Sequence, residues 1–127
     1  MRYLIDTQIL IWSLGDIQKL SPSAISILRR EENDIFISVA SLWEIAIKIS
    51  VEKIKLPVPF EDFIEETLSN NFEILGIELV HLLTLTSLPF YHRDPFDRVI
   101  ISQAISEKIA IVSSDEKFSF YNVEKIW

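Results

Sequence analysis

Short apolar runs recur along this chain, and between them the spacing of hydrophobic residues changes to that of helices. Tyr3-Leu4-Ile5, Ile35-Phe36-Ile37-Ser38, Phe72-Glu73-Ile74-Leu75 and Ile109-Ala110-Ile111-Val112 read as strands, with a fifth near residues 123–127. The first helix follows at Ile9-Leu10-Ile11-Trp12 and closes at Gly15. Ser21-Pro22, a cap followed by proline at the first helical position, opens the next, through about Arg30. From Ser41, Leu42, Ile45, Ala46 and Ile49 fall on one helical face; after Pro57 and Pro59 the stripe is Phe60, Phe63, Ile64, Thr67 and Leu68. Residues 79–85 predict a short buried helix, and Asp94-Pro95 opens a long one that turns Phe96, Val99, Ile100, Ala104 and Ile105 to the core. Strands alternating with helices predict an α/β fold, with a parallel sheet covered on both faces. In such sheets the site lies beyond the carboxyl ends of the strands.

The 127 residues contain no linker, repeat or low-complexity segment and are expected to form one domain, 1–127. The absence of cysteine excludes thiol chemistry and Cys-ligated metal sites. Two glycines, Gly15 and Gly76, are too few for a phosphate-cradling glycine loop. Asp6 interrupts the first apolar run too early for a signal peptide, and the longest stretch without Asp, Glu, Lys or Arg, residues 79–92, is shorter than the ~20 residues of a membrane span. A soluble, cytoplasmic protein without membrane contact is expected. Twelve basic against nineteen acidic residues leave a net charge of −7, which argues against charge-driven nucleic-acid binding. It does not exclude an enzyme whose acids are concentrated in a metal site.

Acids stand at the predicted carboxyl edge. Asp6 ends strand one, Glu44 is expected on the first turn of the helix after strand two, Asp94 and Asp97 open the long helix, and Asp115 follows strand four. Two like charges ~4 Å apart repel by about 4 kcal/mol at an effective dielectric of 20, so a convergence of acids needs a cation. Hard oxygen ligands suit Mg²⁺ or Mn²⁺, and such an ion supports phosphodiester hydrolysis. The expectation is that these side chains meet closely enough to cage an ion of that size.

Each acid also has a local explanation. Ser41-x-x-Glu44 reads as a capping box, and Glu44 can pair with Lys48 one turn on. Asp94 suits an N-cap before Pro95, Asp97 the first turn of that helix, and Asp115 the cap of a short turn through Phe118. Asp6 has little capping work unless it serves the next helix. Around them, Thr7, Ser38, Ser41 and Ser113 can orient carboxylates or simply cap. Arg93 and Arg98 can hold a substrate phosphate or support the acids. His92 offers a phosphate contact or a solvated loop residue; His81 reads as a core histidine, and Trp12 and Trp43 as packing.

Together, Leu4-Ile5-Asp6-Thr7 with Ile9, Leu10 and Trp12, then Ser38, Ser41-Leu42-Trp43-Glu44-Ile45-Ala46-Ile47-Lys48, His92-Arg93-Asp94-Pro95-Phe96-Asp97-Arg98 and Val112-Ser113-Ser114-Asp115 resemble a PIN domain, and more narrowly the VapC toxins of toxin–antitoxin pairs. The resemblance covers nearly the whole chain. It implies a three-layer α/β/α sandwich around a central, mainly parallel sheet of four to five strands. It further implies a Mg²⁺- or Mn²⁺-dependent endoribonuclease that hydrolyses RNA with a metal-activated water, is a homodimer, and is inhibited by a small cognate antitoxin. Asp6, Glu44, Asp97 and Asp115 take the metal and catalytic roles by this resemblance, with Asp94 an auxiliary acid. Two positions depart from the pattern: Gln8 stands where histidine is common, and Ser113 where threonine is.

Three other readings compete. A phosphoacceptor receiver needs an acidic pair after strand one and an Asp after strand three, where this chain has Thr7-Gln8 and Gly76. A haloacid-dehalogenase-like phosphatase needs a second Asp at Gln8. A catalytically silent PIN-fold module that only pairs with an antitoxin is compatible with the fold, but leaves the four acids unexplained.

Overall fold

A computed structural model describes residues 1–127. Five strands, β1 (Arg2–Ile5), β2 (Asp34–Ser38), β3 (Glu73–Leu75), β4 (Ala110–Val112) and β5 (Lys125–Ile126), form one sheet in the order β3-β2-β1-β4-β5. Every neighbouring pair is parallel. Six helices connect them: α1 (Thr7–Gly15), α2 (Pro22–Arg29), α3 (Val39–Ser50), α4 (Phe60–Ser69), α5 (Leu79–Thr86) and α6 (Pro95–Glu107). A 3-10 turn, Glu116–Phe120, separates β4 from β5.

The central strand β1 explains the two-sided core. Successive side chains of a strand point to opposite faces. Tyr3 and Ile5 therefore join Ile9, Leu10, Ala24, Ile45 and Phe63 from α1 to α4 on one face. Leu4 goes to the other, with Ile100, Ile101 and Ala104 of α6. This is the expected α/β/α sandwich. No helix is long and apolar enough to cross a membrane.

Strand order reverses between β1 and β4, and Ile5 stands in register with both Val112 and Ile37. The residues that follow, Asp6 and Ser113, emerge side by side at the carboxyl edge, where a crevice opens at the switch point of such a sheet.

Two helices differ from expectation. Helix α3 begins at Val39, capped by the Ser38 hydroxyl, which accepts the Ala40 N–H at 3.0 Å. Ser38 leaves the strand with extended backbone and takes the cap directly, so the Ser41–Glu44 capping box does not form and Glu44 lies in the second turn. Helix α5 is not buried: only His81 is, whereas Leu79 and Leu83 are 80% and 69% exposed. It lies outside α6 and has only one face covered, a placement that an all-round apolar stretch cannot reveal.

Candidate active site

Asp6, Glu44, Asp94, Asp97 and Asp115 line one cavity of about 440 Å³ at the carboxyl edge, with Thr7, Gln8 and Lys48. A larger apolar groove of about 690 Å³ adjoins it and shares Ile11 and Ile54.

Each acid is held by a donor of its own. Asp6 caps α1: Oδ1 accepts the Ile9 N–H at 2.8 Å, while Oδ2 accepts the Ser113 hydroxyl in a short hydrogen bond. Burial pushes its carboxyl up to about 6; the Ser113 and Ile9 donors restrain that rise, and the Asp115 charge adds to it. Ser113 in turn accepts the Asp115 N–H at 3.0 Å, so one hydroxyl links the two acids across the switch point. Asp115 caps the following 3-10 turn through the Lys117 N–H at 2.9 Å.

Glu44 is 6% exposed and fully engaged. Thr7 donates to Oε1 at 2.7 Å, and Lys48 Nζ lies 2.8 Å from Oε2. Thr7 Oγ1 also lies 2.9 Å from the Ser41 hydroxyl. The hydrogen bond to Glu44 holds the Lys48 ammonium above its ordinary range.

Asp94 caps α6, its Oδ1 accepting the N–H groups of Phe96 and Asp97 at 2.9 and 3.0 Å. Asp97 bears the most electrostatic strain. Burial, then the charges of Asp94, Glu44, Asp6 and Asp115, push its carboxyl up to about 8. Its Oδ2 lies 3.2 Å from His92 Nε2. Burial lowers the His92 imidazole below its ordinary value.

Three placements correct the sequence reading. Ser38 caps α3 and makes no hydrogen bond to a carboxylate. Arg98 does not face the cavity: its guanidinium is buried, donates to the carbonyls of Pro89 and Leu88 at 2.7 and 3.1 Å and to the Tyr121 oxygen at 3.3 Å, and lies 3.8 Å from the centre of the Phe90 ring. Those acceptors hold the loop before α6 and turn the guanidinium away from the acidic cavity, whose lining does not include Arg98. Third, the acids share a cavity but do not form a cage, since no three acidic or histidine side chains are grouped tightly enough to hold an ion as they stand. Arg93 is exposed on the loop before α6. Trp43 is 56% exposed, edge-on to Phe96, whereas Trp12 packs against Trp127.

The donor set nonetheless suits a hard divalent cation, because the cavity offers carboxylate oxygens, and burial first, then the neighbouring acids, disfavour a charge on Asp97 that a bound cation would stabilise. Tyr121, which binds both His92 and Arg98, was not marked by the sequence. Only tertiary folding brings the turn after β4 against the loop before α6.

No curated protein matches the chain significantly. Solved structures similar to it include VapBC2 from Rickettsia felis bound to a promoter DNA fragment, 21% identical, with a TM-score of 0.77 over 99% of this chain and 98% of that one. FitAcB from Neisseria gonorrhoeae is 15% identical, with a TM-score of 0.68 over 98% and 96%. DNA-bound VapBC from Salmonella typhimurium is 16% identical, with a TM-score of 0.67 over 99% and 97%. At these identities the likeness concerns the fold alone. The family match is made by sequence, and because the PIN domain profile fits residues 3–125, the chain belongs to the PIN domain family.

Proposed function

We propose that this PIN domain is a metal-dependent endoribonuclease and the toxin of a VapBC-type pair. The observation that carries the reading is the cavity at the switch point, where five carboxylates line one space and burial, reinforced by the neighbouring acids, raises Asp97 to about 8. That arrangement is unfavourable for a chain with no cationic ligand and favourable for one that binds it. The similarity to VapBC and FitAB assemblies supports a small antitoxin as partner. A homodimer is part of the same proposal.

Asp6, Glu44, Asp97 and Asp115 would hold Mg²⁺ or Mn²⁺, with Asp94 adding negative charge. When bound, the ion would supply charge to stabilise a phosphoryl oxygen and to activate water. The chain's own residues do the rest. Ser113 fixes Asp6 and the backbone of Asp115 relative to each other, and Thr7 with Lys48 fixes Glu44. Burial raises the metal-free Asp6 carboxyl to about 6, so a cation bound there would take the place of a proton. The exposed Arg93 offers a cation to the RNA backbone on the loop that leads into α6.

The test is cleavage of a mixed RNA panel with Mg²⁺ or Mn²⁺, with EDTA, and with Asp6→Asn. Asparagine keeps the cap of α1, so loss of activity reports chemistry and not unfolding. The expected result is cleavage that needs the cation and falls by roughly 100-fold or more in the variant. Equal cleavage with EDTA and in Asp6→Asn overturns the metal mechanism. Tight antitoxin binding with no hydrolysis at any cation concentration selects the silent binding module instead.

A further inference from the structure

His92 does not line the acidic cavity, yet it is tied to it. Its side chain is 8% exposed, with Nε2 3.2 Å from Asp97 Oδ2 and Nδ1 2.8 Å from the Tyr121 hydroxyl. Tyr121 decides which ring nitrogen carries the hydrogen. Its oxygen receives two groups that can only donate, the main-chain N–H of His92 at 3.2 Å and the Arg98 guanidinium at 3.3 Å. A phenolic oxygen has two acceptor positions and one hydrogen to give. With both positions filled, the O–H donates to the third and nearest partner, Nδ1. A neutral imidazole that accepts at Nδ1 bears its hydrogen on Nε2. That N–H faces Asp97 Oδ2.

We propose that His92 is the positioning residue for Asp97, set in its Nε2–H tautomer by Tyr121 and Arg98. The inference rests on the metal-site reading of the cavity. The donor fixes Oδ2 as an acceptor, and Oδ1, which makes no hydrogen bond with the protein, is the oxygen left for a cation. The imidazole has little freedom to turn, because the rings of Tyr121 and Phe118 stand against it at 5.5 and 6.4 Å between centres. The chain thus runs from a buried arginine, through a tyrosine hydroxyl and a histidine ring, to one carboxylate oxygen. Partners of this kind orient a metal ligand without touching the metal.

The test has two readouts, neither involving RNA. In ¹⁵N-labelled, metal-free protein, two-bond ¹H–¹⁵N correlations of the His92 ring identify the protonated nitrogen. The expected wild-type state is Nε2–H, and Tyr121→Phe, which removes the donor to Nδ1, gives a mixture with Nδ1–H. Mn²⁺ affinity, read by electron paramagnetic resonance, is expected to fall roughly 10- to 100-fold in His92→Phe. His92→Gln, whose amide can donate to Asp97 and accept from Tyr121, is expected to stay within a few-fold of wild type. An Nδ1–H tautomer in the wild type, or unchanged Mn²⁺ affinity in His92→Phe, overturns the proposal. A protein that gives the expected tautomer and Mn²⁺ affinities but cleaves no RNA defeats only the nuclease reading.

Discussion

Replacing Asp97 by asparagine should make the metal-free protein more stable while removing its activity. Asp97 has its carboxyl at about 8, against an ordinary value of 3.8. The folded state therefore holds a proton that the unfolded chain has already lost. Stability is fully present below the unfolded value and declines as pH rises from about 4 towards 8. At pH 7, roughly three decades above the ordinary value, the loss is on the order of 4 kcal/mol at ~1.4 kcal/mol per decade. Asparagine cannot ionise, and its side-chain oxygen still accepts from His92. Against the gain stands about 0.3–1 kcal/mol for an acid lost from the first turn of α6. Thermal unfolding in EDTA, measured from pH 4 to pH 8, should give nearly equal melting temperatures at the acid end and a variant higher by on the order of 10 °C at pH 8. Equal melting temperatures throughout would refute the claim that burial and the neighbouring acids disfavour a charge at this residue.

Mn²⁺ should raise the melting temperature more at pH 8 than at pH 5, because the ion must displace the protons that burial and like charge hold on Asp97 and Asp6; an equal gain at both pH values would contradict this. Arg98→Met should cost about 3 kcal/mol in urea unfolding, since it strands the Leu88 and Pro89 carbonyls that the guanidinium satisfies. A residue that merely held a phosphate would leave stability unchanged and weaken RNA binding instead.

The sheet and the acidic edge were legible because their signals are local. An apolar run ending in a lone acid, as at Ile5-Asp6, marks both a buried strand and the edge where the acidic cavity opens, and Asp94-Pro95 marks a helix start that the backbone adopts. Where two local signals were equivalent, the sequence could not choose between them: Ser38 and Ser41 are both competent caps, and the one directly ending the strand took the helix. Residue type also misled where burial reverses its meaning. Arg98 read as a phosphate ligand or an ion-paired support for the two acids beside it, but one helical position turns its side chain inward, where carbonyl oxygens, a tyrosine and a phenylalanine ring occupy it. Its partner Tyr121 carried no signal, because a hydroxyl that fixes a histidine tautomer is defined only by the three groups meeting there. The positions of the acids at strand and helix ends predicted a shared cavity and could not predict that no three of them would group tightly in the folded chain.

The most direct test of the central claim, that these carboxylates serve a divalent cation, is anomalous X-ray scattering from crystals grown with Mn²⁺. The account predicts a Mn²⁺ peak in the cavity with an Asp97 oxygen and at least one oxygen of Asp6, Glu44 or Asp115 about 2 Å away. An acidic cavity without manganese, or manganese bound only elsewhere on the surface, would contradict it.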